Sequence, residues 1–151
     1  MTQPAMISEA VHPMLENSDI LVVNLLGQIC GNEELESPNC IKVVCNLQGN
    51  ALYFSREPIP TRFKTNQITF GKQVCIIPFL RDFLLEYTKM SPTPLEIVES
   101  IDMLRVLEHG MKVRMIPTKY NTVAVDTEMD RQIVEKLLAD DPTTSLYCDH
   151  K

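Results

Sequence analysis

Apolar and polar positions alternate along this chain in two rhythms. Residues 19–26, DILVVNLL, form an apolar run of strand length. CIKVVCN at 40–46 and ALYFS at 51–55 are β-prone runs separated by Leu47, Gln48, Gly49 and Asn50, which predicts a hairpin with a glycine-containing turn. Pro58 and Pro60 stop its second strand. A further β-rich run spans 67–79 and ends around Pro78, and short strands are expected at 112–116 and 122–125.

Helical spacing fills the intervals. Residues 7–16 predict a short helix with Ser8 as its cap, interrupted by Pro13. Residues 80–90 place Phe83, Leu84 and Tyr87 on one face. The strongest helix is SPTPLEIVESIDMLRVLEHG at 91–110, with Pro94 in its first turn and Gly110 beyond its end. Leu95, Val98, Ile101, Leu104 (or Met103) and Leu107 or Val106 recur along it at helical spacing. A closing helix covers 127–138, capped by Asp126 or Thr127, and the tail from Asp140 to Lys151 is expected to be loose. Strands covered by helices, with an antiparallel hairpin in the sheet, define an α/β layer. One domain over 1–139 and a tail at 140–151 describe the chain.

Composition narrows the function classes. Apolar residues make up 44% and charged residues 23% of 151 positions, ordinary values for a globular protein. A net charge of −6 argues against nucleic-acid binding. The absence of a run long enough to span a bilayer argues against a membrane protein, and the N-terminus lacks a secretory pattern. The five cysteines include no C-x-x-C pair and are read as buried thiols of a cytoplasmic protein. His12 and His109 are read as surface residues. The five glycines are isolated, so no glycine-rich phosphate loop is present in these residues.

Three places could carry chemistry. Arg56, at the end of the hairpin, either offers a forked donor pair to a carboxylate or phosphate or is a solvated strand-end arginine. Glu96, Glu99 and Asp102 recur every three residues on the long helix. They either bind polyol hydroxyls or a metal, or form a solvated acidic face in which Arg105 pairs with Asp102. Asp126, between an apolar strand and a helix, holds a divalent cation, caps the helix, or does both.

Four stretches together resemble one family. Pro38 to Pro60, PNCIKVVCNLQGNALYFSREPIP, is similar to the P-N-x-V-K-V-V-x-D-x-x-G-x-A-L-Y-F-S-R-x-x-I-P block of 3-deoxy-manno-octulosonate (KDO) cytidylyltransferases. Residues 91–110 resemble that family's P-x-S/T-P-L-E-x-x-E-x-x-x-x-L-R-x-L-E-x-G helix. Val125-Asp126-Thr127 resembles its V-D-T-P-E-D-L segment, and ICGNEELESPN resembles its lead-in to the first block. The resemblance runs from about residue 29 to residue 138. It implies the C-terminal part of a Rossmann-like nucleotide-diphospho-sugar transferase fold. It also implies an enzyme that couples CTP to an acidic eight-carbon sugar with Mg2+, for lipopolysaccharide or capsule synthesis.

On that resemblance Arg56 lines the sugar site, Glu99 and Asp102 lie near sugar hydroxyls, and Asp126 is one of two aspartates holding magnesium. Gln73 stands where the family has histidine, which puts it in the sugar site, and Phe79 stands where the family has tyrosine. A homodimer is also implied. The family's A-R-x-x-S-x-R-x-P-x-K nucleotide loop and its Q-G-D-E-P turn are not found, and TQPAMI at 2–7 reads as the stretch just beyond that turn. The alternatives are a non-catalytic sugar-binding or dimerisation module, or a relative acting on another acidic sugar such as a sialic acid.

Overall fold

The predicted hairpin forms where its residues place it. In the computed structural model, which describes residues 2–64, 69–120, 122, 125, 128–139, 141 and 143, β2 (Lys42–Cys45) and β3 (Ala51–Ser55) pair antiparallel. Asn46 sets the turn: its side-chain Oδ1 accepts the N–H groups of Gln48 at 3.0 Å and Asn50 at 2.9 Å. Gly49 adopts φ 76°, a backbone state that costs glycine little and other residues much more.

The apolar run at 19–26 becomes β1 (Val23–Gln28), shifted toward the C-terminus, with Val22 forming an isolated bridge to Phe79. From the β-rich run at 67–79 only β4 (Gly71–Val74) is regular strand among the described residues. β5 (Arg114–Pro117) lies parallel to β1, and β4 pairs antiparallel with both β1 and β2. The sheet order is therefore β3-β2-β4-β1-β5. The two outer strands then meet. Ala51 donates to the Val113 carbonyl at 2.9 Å, and Met115 donates to the Gly49 carbonyl at 2.8 Å. The sheet is thus rolled rather than open. Gly71 suits its crowded interior, because a Cβ there would lie 2.7 Å from the Leu26 Cδ1.

Helices cover the rolled sheet on two sides. α1 (Pro4–Glu16) starts earlier than its sequence pattern predicts, so Ser8 lies within the helix and does not cap it. Pro4 occupies the first turn, where a missing N–H costs nothing. Met6, Ala10 and Met14, spaced by four, are buried with Val23, Leu25 and Val74. Each buried methionine of that kind contributes roughly 1.5–3 kcal/mol. The other core gathers Val22, Val43, Phe54, Phe83, Ile101, Leu104 and Met115. Its helical members come from α3 (Arg81–Tyr87), α5 (Met103–Glu108) and the corner before α5. The short α2 (Asn32–Glu36) precedes β2, and α6 (Glu128–Ala139) comes last. Of the predicted strand at 122–125 only Thr122 and Val125 are described, and neither is in a strand. Of the tail, Asp141 and Thr143 are described, and Asp141 accepts a 2.5 Å hydrogen bond from the Gln3 side chain.

The long helix predicted over 91–110 is two helices. α4 (Pro94–Glu99) ends at Ser100, whose φ of 54° is left-handed, and the chain turns before α5. The break has a cause that apolar spacing hides. Glu96 and Arg105 are nine positions apart, so about 100° per residue would put them on opposite faces of one helix. Broken, the two segments fold back, and Arg105 meets Glu96 at 2.5 and 2.7 Å through two nitrogens. Glu108 closes the same corner, accepting the Leu95 N–H at 3.0 Å and the Glu96 N–H at 3.3 Å. The Glu108 carboxylate thus satisfies donors in the first turn of α4 that have no partner within the helix.

The cysteines correct the sequence expectation as well. Cys30 and Cys75 are exposed and Cys40 and Cys45 half-buried, so none of the described thiols is fully buried. Cys148 lies outside the described residues.

Candidate functional site

The corner between α4 and α5 stands over the end of the hairpin, and Glu99 joins the two. Its carboxylate accepts the Tyr53 hydroxyl at 3.1 Å, the Ser55 hydroxyl at 2.9 Å and the Arg56 backbone N–H at 2.8 Å. Burial opposes ionisation of Glu99, but the donors from Arg56, Ser55 and Tyr53 outweigh it and hold the carboxyl below its usual range. Those same bonds show that Glu99 is turned toward β3 and does not share an acidic stripe with Asp102.

Arg56 closes the joint from the other side. Its Nε donates to the Glu99 carbonyl at 2.6 Å, Nη1 to the Pro38 carbonyl at 2.8 Å, and Nη2 to the Ser100 carbonyl at 3.1 Å. Arg56 is therefore a clamp holding the α2–β2 loop, the end of β3 and the left-handed corner together. The picture of a solvated strand-end arginine is corrected.

Glu96 is buried beside Arg105. The Arg105 hydrogen bonds hold its carboxyl below the usual range against the opposing effect of burial. Arg105 also lies over the Tyr87 ring at 4.7 Å. Its partner is thus Glu96, where the sequence suggested Asp102.

Beneath this corner is a depression of about 510 Å³. Gln73 from β4 and Asp102 from the start of α5 both line it, together with Ser100 and the apolar Ile41, Ile77 and Ile101. Asp102 is exposed there. Gln73 is half-buried and donates from Nε2 to Asn24 Oδ1 at 2.7 Å. Asn24 is wholly buried and donates in turn to the Val74 carbonyl at 2.6 Å and the Leu25 carbonyl at 3.2 Å. The structure thus brings Gln73 and Asp102 into one cavity, with Arg56 and Glu99 building its rim through Ser100. Asp126 lies outside the described residues.

Sequence reasoning missed Asn24, Tyr53 and Ser55. Asn24 had a signal, since it is the single polar residue inside the apolar run after Asp19. A slightly larger depression of about 580 Å³, lined by Leu26, Gln28, Phe70, Pro117 and Thr118 among others, holds none of the candidate residues. Among the described residues no group of three or more His, Cys, Asp or Glu side chains could hold a metal ion. Among the described residues no helix is long and apolar enough to cross a membrane.

A rolled mixed sheet, helices on two sides and a polar cavity at a helix corner make an α/β architecture. The chain superimposes with a TM-score of 0.84 on a solved structure of CMP:2-keto-3-deoxy-manno-octonic acid synthetase complexed with CTP, at 29% identity, covering 92% of this chain and 57% of that one. The cytidylyltransferase family profile matches residues 1–113, and the chain belongs to that family. It is 38% identical over 149 residues to a 3-deoxy-manno-octulosonate cytidylyltransferase of Geobacter metallireducens, covering 91% of this chain and 59% of the relative. It is 40% identical over 123 residues to the protein of that name from Fusobacterium nucleatum, covering 82% of this chain and 50% of the relative. The chain thus spans little more than half the length of these relatives.

Proposed function

We propose that these residues form the acidic-sugar-binding portion of a KDO cytidylyltransferase. The complete reaction joins CTP and KDO. The anomeric hydroxyl oxygen of the sugar bonds to the α-phosphorus, the bond from that phosphorus to the pyrophosphate oxygen breaks, and CMP-KDO and pyrophosphate result. One observation carries the reading: Gln73 and Asp102, far apart in sequence, meet in one cavity below the Arg56–Glu99 rim. Apolar walls with a few converging polar groups are what a polyol site requires.

Each residue has a role in that reading. Asp102 accepts sugar hydroxyls, Gln73 adds a polar contact, and Glu99 and Arg56 hold the corner that shapes the cavity. Arg56 also retains N–H groups beyond the three bonds described, which suit the ligand's carboxylate. Asp126 would hold magnesium as one of two aspartates. When bound, the metal would neutralise phosphate charge. Pairing of two copies and a cytoplasmic location belong to the same proposal.

A non-catalytic sugar-binding module is the second reading. Two measurements on the purified chain separate the readings. Calorimetry with KDO and with N-acetylneuraminate reads sugar binding, and pyrophosphate release from CTP reads turnover. The expected outcome is binding of KDO without appreciable turnover by these 151 residues alone, because positioning and charge stabilisation of the triphosphate are both missing. Robust turnover would show that the nucleotide loop is dispensable. No binding of either sugar would overturn the site.

A further inference from the structure

We propose that Asn24 is a positioning residue for this cavity, fixing the Gln73 amide so that it offers its oxygen to a ligand hydroxyl. The inference rests on the proposed sugar site and deepens it. It starts from a buried polar group in an apolar strand. Asn24 is wholly buried, and its Nδ2 donates to the carbonyls of Val74 and Leu25. A carbonyl can only accept, so the nitrogen of Asn24 must face those two atoms and its oxygen must face away. That oxygen can only accept as well. Gln73 therefore presents its nitrogen to Asn24, at 2.7 Å. The acceptor Oε1 of Gln73 is left for whatever occupies the cavity.

This has a consequence for how a ligand lies. Gln73 and Asp102 line the same depression, and both then present acceptors. Two acceptors, one of them a carboxylate, suit hydroxyl groups and repel a carboxylate. The hydroxyl-bearing tail of an acidic sugar fits here, with its acid group directed elsewhere. A cross-strand tie between β1 and β4 with no bearing on ligand is the rival role for Asn24.

The test uses Asn24→Thr, a β-branched replacement suited to a strand, and Gln73→Ala, at a half-buried position. Thermal unfolding first establishes that each variant folds. NMR of the Gln73 side-chain amide is then read without ligand. Wild type should show slowed exchange of the proton held by Asn24, and Asn24→Thr should lose it. Equal exchange in the two proteins overturns the positioning role, whether or not a sugar binds. Calorimetry with KDO should show about tenfold weaker binding for either variant, the scale of one hydrogen bond. Asn24→Thr should add no further loss in a Gln73→Ala background, because it acts through Gln73. Additive losses overturn the proposal while leaving the sugar site standing. If Asn24→Thr does not fold, Gln73→Glu replaces it: a carboxylate facing Asn24 Oδ1 must turn away, and unchanged KDO affinity in that variant defeats the orientation argument. Pyruvate, which has the acid group without the polyol tail, should bind wild type and Gln73→Ala alike. A pyruvate affinity that depends on Gln73 would place the carboxylate here and overturn the orientation. Failure of wild type to bind KDO at all would sink the proposed function, and the amide exchange would still decide the role of Asn24.

Discussion

Arg56 makes three charge-assisted bonds to backbone carbonyls from two separate segments, the loop at Pro38 and the corner at Glu99 and Ser100. Hydrogen bonds to charged groups are each worth more than neutral ones, so Arg56→Ala should cost about 2–3 kcal/mol in urea unfolding. Arg56→Lys should recover little, since an ammonium cannot reproduce the planar fork. A loss under about 0.5 kcal/mol, as usual for a free surface residue, would refute the clamp. Glu99 makes a matching statement about pH. Its folded pKa lies below the usual 4.5. The stability it adds is therefore complete above that value and disappears as pH falls through the lower folded pKa. The gap in stability between wild type and Glu99→Gln should be largest near neutrality and shrink progressively below about pH 4.5. A gap independent of pH would mean that ionisation of Glu99 is irrelevant to the fold.

At the scale of elements the α4–α5 corner decides most. Ser100 holds a left-handed backbone that glycine adopts freely. Ser100→Gly should be neutral or stabilising by up to about 0.5 kcal/mol, and Ser100→Val destabilising by about 1–2 kcal/mol, both read as shifts in melting temperature. The corner also shows what the sequence could and could not convey. Ile101 and Leu104 carried a true core signal and are buried. Leu95 and Val98 continued the same spacing, yet both are exposed. Apolar spacing reports which residues seek the core, but the break at Ser100 is set by Glu96, Glu108, Arg56 and Glu99, which are polar partners brought in by folding. The hairpin was legible, its second strand to the residue and its first within two residues, because its turn chemistry is local: Asn46 and Gly49 act on their immediate neighbours. The cavity was legible only as separate candidates. Gln73 and Asp102 reach it from different elements, and nothing in local pattern joins them.

For the whole molecule, the cytidylyltransferase likeness spans 92% of this chain but 57% of the solved relative. These residues carry two hydrophobic cores, one under α1 and one under α3 and α5. The closure of the sheet has a kinetic consequence. Arg114 hydrogen-bonds to the Gln48 carbonyl across 66 residues of chain, and the neighbouring backbone bonds join Gly49 and Ala51 to Met115 and Val113. Such a seam closes a long loop, and that loop-closure entropy must be met before distant contacts reward it. It belongs on the native side of the folding barrier. Gly49→Ala, placing a side chain at φ 76°, should destabilise by about 1 kcal/mol. In stopped-flow chevron plots that loss should appear as unfolding accelerated about fivefold with the refolding limb almost unmoved. A slowed refolding limb instead would put the seam inside the nucleus, and the roll of the sheet would then begin, rather than finish, the folding of this chain.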